Sequence, residues 1–248
     1  EDHKKGALMR TILFLIQSVL KNWRQLKSSG FSVRTTIKEE LLLQELCKHH
    51  PYTVDHMRRV EQYSTLIGKA MGLAGHSLAI ARHAGKMHDI GKLDVPQDLL
   101  NFRDDLTEAQ MDKIKRHTLS SYIRLFGLRY PKALKEVPFV ASAHHEHLDG
   151  SGYNGLKGNE IPLEARIVTV ADVLDAMVSK RSYSEEIPLT ETIAHLKQYS
   201  GIFFDADVVN ALTRIAPSDF LKVMESEPGR PRAIKVRDRI EVGSLIGK

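Results

Sequence analysis

The sequence predicts an all-α fold: a helical bundle with an N-terminal helical extension and a short C-terminal tail of partly β character. Apolar residues recur at helical spacing in one segment after another, and clusters of Gly, Pro and Ser end each segment after ten to twenty residues. Strand-like alternation is confined to Ala233-Ile234-Lys235-Val236-Arg237. The expected division is residues 1–48 as a helical connector or dimerisation region, 49–217 as the compact domain, and 218–248 as the tail.

The first helix is expected over 8–27, with Ile12, Leu15, Ile16 and Val19 on one face. Ser28-Ser29-Gly30 separates it from a second over 35–48 that carries Leu42, Leu43 and Leu46. The apolar run Leu8 to Leu20 is interrupted by Arg10 and Gln17 and is shorter than a spanning helix needs, so no membrane span is expected. It ends in Lys21-Asn22-Trp23-Arg24 without a small-residue cleavage site, unlike a signal peptide. A third helix, capped by Thr53 or Asp55 and closed by Gly72 and Gly75, carries His56 near its start. An alanine-rich helix then ends at His88-Asp89, with Gly91 placed for a left-handed cap.

Val95-Pro96-Gln97 turns the chain, and Asp105-Leu106-Thr107 opens a helix that is expected to carry His117. Helix continues over 120–126, and after Pro131 and Pro138 a short one reaches His144-His145-Glu146-His147. Crowded imidazoles are costly unless neutral, and a metal ion is what makes neutral imidazoles useful. The loop from Gly150 to Gly158 holds four glycines in nine residues, which would let backbone amides approach a phosphate. Pro162-Leu163-Glu164 starts a helix to Lys180 whose apolar side carries Ile167, Val170, Ala171, Leu174, Met177 and Val178. Asp172 borders that face and is a candidate ligand, whereas Asp175 reads as solvated. Two further helices are expected over 190–199 and 206–215.

Composition narrows the function classes. The net charge of +5 comes from 36 basic residues dispersed among 31 acidic ones, which permits an anionic ligand without a nucleic-acid surface. Aromatic residues, at 6%, are too sparse for a base-stacking platform, so no nucleic-acid polymer is expected as partner. The single cysteine, Cys47, can form neither an intramolecular disulfide nor a zinc–thiolate site and suits a reducing, cytoplasmic setting. Twelve histidines remain as nitrogen ligands.

The ordered set His56, His88-Asp89, His117, His144-His145 and Asp172 is what two divalent ions sharing one carboxylate would require from the protein. Here the chain resembles the HD-GYP family, a branch of the HD-domain metal-dependent phosphohydrolases, over roughly residues 50 to 212. The match includes His56 with Arg59-Val60, His88-Asp89-Ile90-Gly91-Lys92 with Pro96, and His117. It continues through His144-His145-Glu146 with Asp149-Gly150-Ser151-Gly152-Tyr153, Ala165-Arg166-Ile167, Ala171-Asp172 with Asp175-Ala176, Arg181 with Tyr183, and Phe204-Asp205.

The resemblance implies an HD-domain bundle and a phosphodiesterase that opens cyclic di-GMP, or in some members cyclic GMP-AMP, to the linear dinucleotide or on to GMP. It implies two divalent ions, iron or manganese, with a metal-bridging hydroxide as nucleophile. Carried over by position, His56, His88, Asp89 and Asp172 hold one ion and Asp89, His117, His144 and His145 the other. Asp89 and Lys92 are the catalytic residues, and Lys92, Gly150, Gly152, Tyr153 and Arg181 contact substrate. The implied partners are the cyclic dinucleotide, a second copy through the N-terminal helices, and an upstream sensor or receiver domain.

Four departures bear on this. Asn154 stands where the family's proline follows Gly-Tyr, His147-Leu148 replaces Arg-Trp, and Ser184 replaces a basic residue. Tyr52 stands where members with a third ion carry glutamate, so two ions are expected. The alternatives are an HD phosphohydrolase acting on other nucleotides and a catalytically weak cyclic-dinucleotide-binding signalling module.

Overall fold

The computed structural model describes residues 33–102, 104–179 and 187–225. Eleven α-helices occur among them: α1 Val33–His49, α2 Pro51–Ala70, α3 Gly75–Met87, α4 Gln97–Leu100, α5 Glu108–Lys115, α6 His117–Gly127, α7 Val137–Ser142, α8 Leu163–Val178, α9 Leu189–Gln198, α10 Ala206–Leu212 and α11 Pro217–Met224. Short 3-10 turns lie at Ile90–Asp94, Lys132–Leu134 and Gly158–Glu160. Among the described residues there is no sheet, only an isolated bridge between Ser200 and Phe204. No described helix is long and apolar enough to cross a membrane. The helix expected over 8–27 and the alternating stretch at 233–237 lie outside the described residues.

Helices α2, α3 and α8 pack against one another at the centre. Val54, Met57, Val60, Tyr63 and Ile67 of α2 recur at intervals of three or four and are buried, facing Ala81, Ala84 and Met87 of α3 and Ile167, Val170, Ala171, Leu174 and Val178 of α8. Helix α1 lies on the N-terminal side of residue 49, yet Leu43 and Leu46 sit in this core. Phe220 and Val223 of α11, beyond residue 217, join it at the other end.

A second anchor for α1 is polar. The fully buried Glu39 accepts hydrogen bonds from His83 Nδ1 (3.0 Å), Tyr130 OH (2.7 Å) and Lys86 Nζ (3.4 Å). Burial alone would raise this carboxyl; the charge and hydrogen bond of His83, with Lys86 and Tyr130, hold it down at about 2. The bonds to His83 and Lys86 tie α1 to α3, the helix that leads directly into His88 and Asp89.

Several local expectations differ from the structure. Helix α2 starts at Pro51, whose missing N–H costs nothing at the first helical position, rather than at Thr53 or Asp55. The helix opened at Thr107 stops at Lys115, and His117 is the first residue of a new helix. Thr107 forms a full capping box with Gln110 there. Gly91 lies inside a 3-10 turn and has no positive φ. It is glycine because an added Cβ would stand 2.0 Å from the carbonyl oxygen of His117 and 2.5 Å from the amide of Ser121.

Candidate metal centre

Five chain segments deliver seven candidate ligands to one buried point. His56 comes from α2, His88 and Asp89 from the end of α3, His117 from the first residue of α6, His144 and His145 from the turn after α7, and Asp172 from the middle of α8. Asp89, fully buried, is at the centre. Its Oδ2 faces His56 Nε2 (3.7 Å) and His88 Nε2 (3.5 Å), and its Oδ1 faces His117 Nε2 (3.2 Å) and His144 Nε2 (3.8 Å). Asp172 Oδ1 closes one side, 3.0 Å from His56 Nε2 and 3.8 Å from His88 Nε2.

Three sets have one ligand atom each within 4.8 Å of the others: His56, His88 and Asp172; His117, His144 and His145; and His88, Asp89 and His144. Each could hold a metal ion. Asp89 stands between two of these sets, its Oδ2 toward His56 and His88 and its Oδ1 toward His117 and His144.

Local backbone geometry orients the rings. His88, His117 and His144 each turn Nδ1 onto the carbonyl three residues earlier: Gly85 (2.9 Å), Ile114 (2.7 Å) and Ala141 (2.7 Å). A carbonyl only accepts, so each Nδ1 carries a proton and Nε2 is the ring nitrogen turned inward. Ser121 Oγ braces the same region, donating to the carbonyl of His88 (2.7 Å) and accepting from the amide of Gly91 (2.9 Å).

The electrostatics fit cations. Burial would raise Asp89, but Lys92, His88 and His117 hold it well below the usual carboxylate range, and His56 does the same for Asp172. Burial pushes His144 well down, and His145 to about 3, so both rings are neutral and able to ligate. His56 differs. Burial works against its charged form, yet the hydrogen bonds and charges of Asp172 and Asp175 raise it to about 9.

The buried atoms His88 Nε2 and Asp89 Oδ1 make no hydrogen bond. A ring nitrogen and a carboxylate oxygen buried without a partner are costly unless a cation completes them, so the residues present fit a divalent ion.

A cleft of about 410 Å³ opens from this point. Its inner wall is His56, Asp89, Lys92, His145 and Asp172, and its outer wall includes His50, Tyr52, Asn101 and Val173. Lys92 Nζ lies 2.5 Å from Asp89 Oδ2. The glycine loop is not among the residues lining this cleft, although Tyr153 lies close to the centre, its ring 4.5 Å from His145 and beneath Lys115 Nζ at 5.4 Å.

The loop's glycines have structural reasons. Gly150 has φ +85°, and an added Cβ at Gly152 would meet the backbone of Glu146 at 2.5 Å. Arg181 and Ser184 lie outside the described residues.

Three residues given no role in the sequence reading shape the site. Asp175 is fully buried, not solvated, because it accepts from His56 Nδ1 (2.7 Å) and from Arg59 Nε (2.6 Å) and Nη2 (2.9 Å). Its position three residues after Asp172, between Leu174 and Val178, was the available signal. Arg59, fully buried, is the second, one turn after His56. Glu146 is the third. Its buried carboxylate accepts from Asn154 N (2.9 Å), Asn154 Nδ2 (2.8 Å) and Leu156 N (2.9 Å), which folds the glycine loop back on the His144-His145 turn.

A family model described as an HD domain matches residues 40–208. Among curated proteins, the cyclic di-GMP phosphodiesterase response regulator RpfG of Xanthomonas campestris is 38% identical over 159 residues, 64% of this chain and 42% of that protein. The 3'3'-cGAMP-specific phosphodiesterase 3 of Vibrio cholerae is 32% identical over 180 residues, 71% of this chain and 38% of that protein. A cyclic di-GMP phosphodiesterase of Thermotoga maritima is 35% identical over 161 residues, 64% of this chain and 44% of that protein. The chain therefore spans less than half the length of these relatives. Among solved structures, Bd1817, described as an HDG"Y"P protein from Bdellovibrio bacteriovorus, shares the fold with a TM-score of 0.53 at 18% identity, over 67% of this chain and 51% of that one.

Proposed function

The chain belongs to the HD domain family, and from that premise we propose that it is a metal-dependent phosphodiesterase that opens a cyclic dinucleotide, cyclic di-GMP or 3'3'-cGAMP. The observation that carries this reading is the buried carboxylate of Asp89, with three-ligand sets on both sides of it at the head of a cleft. The named relatives supply the substrate class.

The mixed imidazole and carboxylate donors suit iron or manganese, and Tyr52, a poor ligand for a hard cation at neutral pH, favours two ions over three. His56, His88, Asp89 and Asp172 would hold one, and Asp89, His117, His144 and His145 the other. When bound, the ions would supply Lewis acidity at the scissile phosphate and lower the pKa of the attacking water.

The chain's own residues do the rest. Hydrolysis forms one bond from water oxygen to phosphorus and breaks one bond from phosphorus to a ribose oxygen, which must take up a proton. Lys92, on the inner wall of the cleft, can contact a phosphate oxygen or donate that proton. Tyr153, its phenol raised by burial and by the negative charges of Asp172 and Asp89, stays neutral and can donate a hydrogen bond. Leu100, Val173 and Ala176 give the cleft an apolar side against which a base can lie.

The test is anaerobic purification and loading with Mn²⁺ or Fe²⁺, followed by incubation with cyclic di-GMP, 3'3'-cGAMP, mononucleotides and an alarmone. Linear dinucleotide or GMP as product supports the reading. Turnover of mononucleotide or alarmone alone points to a different phosphohydrolase. Tight binding of cyclic di-GMP by metal-loaded protein without turnover points to a signalling module.

A further inference from the structure

Among the candidate ligands, His56 is held unlike His88, His117 and His144. His88, His117 and His144 rest Nδ1 on a carbonyl of their own local chain, whereas His56 rests it on the carboxylate of Asp175, 119 residues away, at 2.7 Å. That carboxylate is itself immobilised. Arg59 grips both of its oxygens (2.6 and 2.9 Å) and Ser179 Oγ donates to Oδ1 (3.2 Å), while Arg59 and Asp175 are both almost entirely buried. An ionised carboxylate only accepts, so Nδ1 must carry the proton and Nε2 must face Asp172 and Asp89. A carboxylate behind a ligating imidazole also makes its far nitrogen a stronger donor, an arrangement whose loss costs 10- to 100-fold in metal affinity in sites of this kind.

The charge count points the same way. Beyond the shared Asp89, the His56 and His88 side contributes a second carboxylate, Asp172, whereas the other side contributes only the rings of His117, His144 and His145. A dication gains more from a site with two carboxylates than from one with a single shared carboxylate, and Lys92, 2.5 Å from the Asp89 Oδ2 that faces His56 and His88, offsets only part of that gain.

We infer that Asp175, clamped by Arg59, is a positioning residue that locks His56 in its metal-facing form and makes the His56, His88 and Asp172 side the tighter of two unequal metal positions. The inference rests on the proposed two-metal centre. It adds that the centre fills in order, with the His117, His144 and His145 side last and released first.

The test is a calorimetric titration of metal-free protein with Mn²⁺, with no substrate present. The wild type should bind in two steps separated by at least tenfold in Kd. Asp175→Asn should weaken the tight step by roughly 10- to 100-fold, the loss expected for such an outer-sphere partner, and Asp175→Glu should restore part of it. His145→Gln should weaken or remove only the loose step.

Asp175→Asn strands the Arg59 guanidinium and could unfold the chain, so the paired change Asp175→Asn with Arg59→Met is titrated alongside, its fold checked by circular dichroism. An ¹⁵N spectrum of the metal-free wild type should show His56 protonated at Nδ1, and an unprotonated Nδ1 would overturn the inference. A tight step unchanged in the folded paired variant, or two equal steps in the wild type, would overturn the inference and leave the two-metal reading standing. Absence of any Mn²⁺ binding by the wild type would instead remove that reading and the inference with it.

Discussion

Replacing Gly91 with alanine tests how closely the metal centre depends on one backbone contact. A methyl group there would stand 2.0 Å from the His117 carbonyl oxygen, 2.5 Å from the Ser121 amide and 2.9 Å from Ser120 Cβ. The two nearest obstacles are backbone atoms and cannot rotate away, so the first turn of α6 must retreat by about 1 Å to restore ordinary contact. Overpacking of this kind costs about 1 to 3 kcal/mol, and losing the Gly91 to Ser121 bond adds about 1 kcal/mol. The entropy gained by replacing glycine offsets about 0.4 to 1 kcal/mol of this.

The net expectation is a loss of about 2 to 3 kcal/mol, or about 5 to 10 °C in Tm for a domain of this size. Because His117 is the first residue of α6, the retreat also pulls its Nε2 from Asp89 Oδ1, now 3.2 Å away. Mn²⁺ binding on that side should weaken more than tenfold. Urea unfolding of the metal-free variant and a Mn²⁺ titration read both effects; an unchanged midpoint with unchanged binding would refute the packing argument.

Other perturbations reach separate parts of the molecule. Glu39 has its pKa depressed to about 2 from 4.5, so its contribution, on the order of 2 to 3 kcal/mol, is complete above pH 4.5 and is lost as the pH falls toward 2. Glu39→Gln should lower stability at neutral pH and flatten that acid limb, and a denaturation series in pH with parallel curves for both proteins would count against it. Asn154→Pro removes two of the three donors to the buried Glu146, one of them a backbone N–H that proline lacks, and should cost about 2 kcal/mol with metal content unchanged. Equal Tm values would contradict that assignment. Thr107→Ala breaks the capping box of α5 and should cost about 1 kcal/mol without affecting metal binding, as a chemical denaturation midpoint would show.

Much of the centre was legible in the sequence because metal ligation constrains residue type at each position, and His56, His88-Asp89, His117, His144-His145 and Asp172 remain recognisable as an ordered set. What was hidden depends on three-dimensional neighbours. Asp172 and Asp175 share a helical face, and spacing alone does not tell that the second meets Arg59 from another helix. Gly91 and Gly152 read as turn or phosphate glycines, yet both are small because another backbone passes within 3 Å of where a side chain would start. The break at Arg116 was masked by helix-forming residues on either side. The stretch of α1 reads as a connector or dimerisation region from its helical spacing, and spacing alone does not tell that Glu39 meets His83, Lys86 and Tyr130.

The central claim is that one carboxylate serves two metal positions in a hydrolytic centre. Asp89→Asn, purified anaerobically beside the wild type and reconstituted with Mn²⁺ or Fe²⁺, tests it through metal content and turnover of cyclic di-GMP and 3'3'-cGAMP in the same samples. The wild type should hold two ions per chain and open a cyclic dinucleotide, whereas the variant should stay folded, lose at least one ion and show no turnover. Near-normal metal content and turnover in Asp89→Asn would contradict the account.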